Sequence, residues 1–79
     1  MNGEYEVIEA EIIETSELIN KELKNSNLPD EIRIGAVLRD NKVIIPRSNF
    51  VFQKEDKVVF LAKKDSISVV ENIFRISSI

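Results

Sequence analysis

Residues 34–62 read IGAVLRDNKVIIPRSNFVFQKEDKVVFLA, and this stretch decides the fold. It lays down three strand-like runs joined by compact polar turns. Ile32, Ile34, Ala36 and Leu38 alternate with Arg33, Gly35, Val37 and Arg39, the period-2 signature of a strand that turns one face to a core. Asp40 and Asn41 make a two-residue turn. Val43, Ile44 and Ile45 return as a second strand, and Pro46, which has no N–H to give a ladder, ends it or sits at a sheet edge. After Arg47, Ser48 and Asn49, the apolar Phe50, Val51 and Phe52 lead to Glu55 and Asp56, and residues 58–62 form the last strand. These residues alone give a small meander.

Upstream, residues 5–14 read as a first strand, with Ile8, Ala10 and Ile12 on a core face and Val7, Glu9, Glu11 and Ile13 on the other. Thr15 or Ser16 is placed to cap a short helix whose stripe is Leu18, Ile19 and Leu23, with Glu17 in its first turn and Lys21 and Lys24 toward its C-terminal end. Asn25, Ser26 and Asn27 stop it, and Leu28-Pro29 is an extended bridge, because the residue before proline avoids the helical region. Downstream, Asp65 or Ser66 starts a last helix in which Ile67, Val70 and Phe74, with Val69 and Ile73 beside them, recur at helical spacing. Glu71 and Arg75 would pair one turn apart in it, and residues 76–79 are a frayed tail or an interface strand. The order predicted is β-α-β-β-β-α, an α+β fold with helices packed on a small mixed or antiparallel sheet.

With 79 residues the chain is one domain, near the size at which a single core is only marginally stabilising. It has no cysteine, so neither disulfides nor thiolate metal ligands can staple it. Yet 43% of its residues are hydrophobic, more apolar matter than so small a core needs, which points to self-association. No run approaches the ~20 apolar residues of a spanning helix, and the start, MNGEYE, has neither the basic nor the apolar region of a signal peptide. The net charge of −3 is of the wrong sign for general affinity to nucleic acid. Glutamates crowd the first part of the chain and lysines and arginines the later part, a division that a solvated surface accounts for.

The ordered series Arg39-Asp40-Asn41, Val43-Ile44-Ile45-Pro46, Arg47-Ser48-Asn49, Glu55-Asp56 and the apolar residues 58–62 closely resembles the RCK C-terminal, or TrkA C-terminal, domain family. The resemblance extends from Leu28-Pro29-Asp30 through the apolar residues 69–74, so it covers nearly the whole chain. It departs at turns where the family favours glycine. Asn41 tolerates the left-handed backbone of a tight hairpin, whereas Glu55 does so only at a cost, so the loop before Val58 is expected to differ. The resemblance implies a single regulatory domain over 1–79, a piece of a longer cytosolic protein that gates a membrane potassium transporter. It also implies a homodimer, a cytoplasmic location peripheral to the inner membrane through the transporter, and NAD bound only by a preceding domain. Nothing in this chain resembles that domain's glycine-rich phosphate loop.

Catalysis has little to work with, since the chain holds neither a histidine base nor a cysteine nucleophile and its serines fall in cap, turn or tail settings. Glu4, Glu6, Glu9, Glu11 and Glu14 offer carboxylates to a hard cation, but their spacing along a strand describes a solvent face, so no metal site is assigned. In some members of the family the hairpins of two subunits enclose cyclic di-AMP. The matching residues here, Arg39, Asn41, Ile44, Ile45, Pro46 and Arg47, form the candidate ligand surface, with Arg39 or Arg47 facing phosphate and the apolar residues forming walls. Two other readings compete with transporter gating. One places the domain in an antiporter or exchanger, and the other makes it a small-molecule sensor attached to a transcription regulator.

Overall fold

The computed structural model describes residues 4–71 and 73–76, the side chain of Ile76 excepted. Five strands, β1 (Tyr5–Ile12), β2 (Ile32–Arg39), β3 (Lys42–Ile44), β4 (Lys57–Lys63) and β5 (Phe74–Ile76), make one sheet in the order β3-β2-β4-β1-β5. Every neighbouring pair is antiparallel. The α+β class stands as expected, but the simple meander does not. β4 returns beside β2 rather than β3, which leaves β3 as an edge strand ending two residues before Pro46. The chain between them crosses the inner face, where Phe52 is fully buried.

The inner face carries Ala10 and Ile12 of β1, Ile32 and Val37 of β2, Val58, Phe60 and Ala62 of β4, and Phe74 of β5, all buried. Leu18, Phe52 and Val70 close over them. Phe60 and Phe74 stack with ring centroids 5.1 Å apart, and Phe50 meets Phe52 edge-on at 5.3 Å. Burial of this apolar set is the main stabilising term, at roughly 25 cal/mol for each Å² taken from water.

The face of β2 differs from strict alternation. Ile34 lies opposite Phe60 but Ala36 lies opposite Val59, so Gly35 is an extra residue in a β-bulge. One inserted residue moves every later side chain to the other face. Val37 is therefore the buried residue, while Ala36 and Leu38 take the opposite face. A Cβ on Gly35 would stand 3.5 Å from the Val59 carbonyl oxygen, an ordinary contact, so register and not lack of room sets the bulge.

The first expected helix does not form. Residues 14–20 are turns, and a single 3₁₀ turn spans Leu23–Asn25. The backbone is instead held by a distant segment. Asn20 N–H donates to Phe52 O at 2.8 Å, Phe52 N–H to Lys21 O at 3.0 Å, Leu23 N–H to Phe50 O at 2.8 Å and Lys24 N–H to Ser48 O at 2.9 Å. Asn20 is left-handed, with φ 69°, which no helix accommodates. Ser16 keeps a local role, its Oγ accepting from the Leu18 N–H at 3.1 Å.

The last helix is also shorter than its periodicity predicts. A 3₁₀ turn over Lys64–Ser66 runs into α1 (Ile67–Val70), after which the chain turns and Phe74 enters β5 opposite Ile12. Arg75 accordingly faces Glu11 across the sheet and not Glu71 along a helix. The β-branched Ile67, Val69, Val70 and Ile73 give the helix little local support, whereas β1 offers an open edge for pairing. Of the expected tail, Ile76 closes β5 and residues 77–79 lie outside the described residues.

Asp40 and Asn41, at φ 53° and 64°, supply the two left-handed residues of a type I′ hairpin turn, as the sequence predicts. Glu55 is left-handed as well, at φ 72°. Asn20, Asn27, Asp40 and Asn41 share this conformation with short polar side chains suited to it, while Glu55 carries a penalty of roughly 1 kcal/mol. Glu55→Gly should therefore stabilise the fold by about 0.5–1 kcal/mol, the gain being trimmed by the greater freedom of glycine in the unfolded chain. Urea unfolding of the two proteins measures this difference, and a loss of stability would show that the Glu55 side chain contributes more than its backbone costs.

Candidate functional site

The hairpin and the loop before β4 meet at an ion pair that the sequence did not announce. Because the bulge at Gly35 shifts the phase of β2, Arg39 follows Val37 onto the inner side, at the end of the strand where Asp56 leads into β4. Arg39 Nε donates to Asp56 Oδ1 at 2.8 Å and Nη2 donates to Oδ2 at 2.7 Å, a two-point match of guanidinium and carboxylate. The Asp56 side chain is 2% exposed and that of Arg39 25%.

Each member has further partners. The Gln53 N–H donates to Asp56 Oδ2 at 2.9 Å, and Arg39 Nη2 also donates to the Val51 carbonyl at 3.0 Å. The guanidinium lies over the Phe50 ring, 4.9 Å from its centroid. The Asp56 backbone carbonyl accepts from the Ile12 N–H at 3.0 Å, so one residue ties the ends of β1, β2 and β4 to the loop. Hydrogen bonding to Asp56 is the largest influence holding Arg39 above its ordinary value. Partial burial opposes it, and the charges of Asp56 and Asp40 add to it. A cation raised in this way contributes stability that is fully present below its unfolded value and is lost only as pH rises through the folded one. The contribution of Arg39 is therefore constant across the neutral range.

The other expected ligand residues fall in different settings. Asn41 is in the hairpin turn and, with Arg39, borders an open cleft of about 290 Å³. That cleft also holds Lys54 and Lys57 against Asp40 and Glu55, a balanced set of charges that selects no sign of ligand. Ile44 is half-buried against the core, Ile45 is 71% exposed just beyond β3, Pro46 is half-buried and Arg47 is exposed. The hairpin thus divides into a structural part, Arg39 and Ile44, and an outward part, Ile45 and Arg47. The glutamates of the first strand also divide. Glu9 and Glu11 sit on one face and Glu6 on the other, and among the described residues no three acidic side chains are grouped to hold a metal ion.

Asp56, the partner that fixes Arg39, was missed by sequence reasoning. The signal that could have found it was Gly35, since a glycine inside a strand pattern marks a bulge that changes the face of Arg39. Removing one partner of a buried pair leaves the other without compensation. Arg39→Met should cost about 2–3 kcal/mol, somewhat less than the ~3–5 kcal/mol of a fully buried pair because Arg39 is partly solvated. Asp56→Asn, which keeps one acceptor, should cost less. The double variant should be more stable than the sum of the two losses implies, by about 1 kcal/mol or more, as measured in a double-mutant cycle by denaturant unfolding. Strict additivity would mean that the two side chains are not energetically coupled.

Comparison with known proteins gives this architecture a family. The model of the TrkA-C domain matches residues 7–75. The chain is 42% identical over 77 residues to the Trk system potassium uptake protein TrkA of Azorhizobium caulinodans, covering 98% of this chain and 17% of that protein. It is 38% identical over 64 residues to a TrkA homolog of Archaeoglobus fulgidus, covering 81% of this chain and 15% of that one. A K(+)/H(+) antiporter, NhaP2 of a Shewanella strain, is 29% identical over 73 residues, or 92% of this chain and 13% of the antiporter. The chain therefore spans less than a fifth of the length of these relatives. With nearly its whole length matched, the chain belongs to the TrkA-C domain family.

Proposed function

We propose that this chain is a cytosolic regulatory and dimerisation domain of a Trk-type potassium uptake system, acting on a membrane potassium transporter. The observation that carries the reading is the match of residues 7–75 to the TrkA-C domain together with 42% identity to a potassium uptake protein. The chemistry of the chain agrees with a role that is not enzymatic, for its best-built polar cluster, Arg39 with Asp56, is satisfied internally and positions backbone. No cofactor is assigned to it. A nucleotide such as NAD belongs, in this reading, to a separate dinucleotide-binding domain. In this reading the transporter partner places the domain at the cytoplasmic side of the inner membrane; no described helix is long and apolar enough to cross a membrane.

The identity to an antiporter over 92% of the chain supports a second reading, in which the domain senses a ligand for a cation exchanger. Rubidium uptake by cells that rely on the encoding gene separates the two. Removing residues 7–75 from the encoded protein should change uptake severalfold at unchanged transporter abundance. Unchanged uptake would sink the first reading, and an effect confined to proton-coupled exchange would favour the second.

Within either reading, a small anionic effector would be met by Arg47 with Ile45 and Pro46 as apolar walls, because Arg39 is engaged by Asp56. Arg47→Ala should weaken binding of cyclic di-AMP about tenfold, equivalent to ~1.4 kcal/mol, without altering the melting temperature. Calorimetric titration reads the affinity, and equal affinity in both proteins would remove Arg47 from the ligand surface.

A further inference from the structure

Hydrogen bonding divides the chain into two sets. The strands bond to one another across the sheet, from β3 through to β5. The irregular segments over residues 20–24 and 48–52 bond to each other instead, Asn20 with Phe52, Leu23 with Phe50 and Lys24 with Ser48. Among the described residues, hydrogen bonds join this second set to the sheet at a single corner. There Arg39 holds the Asp56 carboxylate and the Val51 carbonyl, and the Asp56 carbonyl accepts from the Ile12 N–H. We infer that residues 20–24 and 48–56 form one strap over the inner face that opens and closes as a unit, with the Arg39 and Asp56 pair as its latch.

The two ends of the strap are suited to such motion. Toward β3 it is joined through Pro46, which has no N–H to bond, and toward β4 through Glu55, whose left-handed backbone is relieved of strain when the loop is released. The strap lifts away the fully buried Phe52 with the partly buried Phe50 and Leu23. The stacked Phe60 and Phe74 and the buried Val70 stay with the sheet, so the open domain keeps part of its core. The latch borders the open cleft beside Asn41, where water solvates both charges once they separate, and neither is left buried without compensation. A segment tied to the rest of a fold by so few bonds opens at a lower free energy than the whole. The Lys24 N–H holds the carbonyl of Ser48, the neighbour of Arg47, so the outward part of the hairpin and residues 20–24 are positioned together. This inference stands apart from the effector reading, and it gives the exposed Arg47 a mechanical connection to a distant part of the chain.

Native-state hydrogen exchange of the 79-residue chain, followed residue by residue in rising urea, tests the strap. The amides of Asn20, Leu23, Lys24 and Phe52 should converge on one isotherm, with a shallower urea dependence than the amides of Val58 and Phe60 in β4. Arg39→Met should speed exchange of all four strap amides by a common factor of about thirty or more. Glu55→Gly, which removes strain from the closed strap and keeps the latch, should slow the same four by about two- to fivefold. Strap amides that share the isotherm of Val58 and Phe60 would show that the strap opens only when the sheet unfolds, and would overturn the inference. Four separate isotherms would overturn it as well, since the segments would then move independently. A common isotherm left unchanged by Arg39→Met would remove the pair as the latch.

Discussion

The Arg39 and Asp56 pair fastens the loop before β4 to the strands it crosses. Its two hydrogen bonds, at 2.8 and 2.7 Å, fasten the end of β2 to the residue before β4. The same carboxylate fixes the Gln53 backbone, and the Asp56 carbonyl holds the end of β1. The segment between β3 and β4 has no regular structure of its own, yet it must lay Phe50 and Phe52 over the core. Anchoring it at Val51, Gln53 and Asp56 gives those rings fixed positions, and the Phe50 ring in turn covers the guanidinium. A pair of this kind carries a desolvation cost that a hydrophobic substitute would not, so its value lies as much in geometry as in net stability.

That geometry depends on a backbone irregularity. Without the bulge at Gly35, Arg39 would follow Val37 onto the open face, and the buried carboxylate of Asp56 would lose its two-point partner. The bulge therefore couples two requirements of one strand. Before it, Ile32 and Ile34 pack against Ala62 and Phe60; after it, Val37 packs and Arg39 reaches the loop. An uninterrupted alternation could satisfy the first half or the second, but not both, because the side-chain period of a strand is two.

Strands with a hairpin were legible because their signals are local. Asp40 and Asn41 have the residue types that a type I′ turn demands, and Pro46 forbids continuation of a ladder. The helices misled for a corresponding reason. Leu18, Ile19 and Leu23 are spaced for a helix, but from Asn20 to Lys24 the backbone finds distant partners, and only the folded chain shows that residues 48–52 supply them. Phe74 fits a helical stripe and a strand equally well, and the free edge of β1 decides between them. Of the candidate ligand residues, the sequence identified the hairpin but could not divide it, since the division between Arg39 and Arg47 follows from the phase change at Gly35 and from Asp56.

Among the described residues one side of the sheet is covered and the other is not. Irregular chain over residues 13–31 and 45–56, with one turn of α1, suffices for the inner face, and the aromatic residues concentrate there. No comparable segment among the described residues covers the opposite side. The apolar residues on that side are not a failure of patterning. Val7 and Val43 are exposed on that side, and glutamate, lysine and arginine stand among them. The buried apolar set lies on one face of the sheet, while the exposed Val7 and Val43 lie on the other. Because Arg39 and Asp56 lie on the inner side of the sheet, substitutions at those exposed valines leave the tie between them intact.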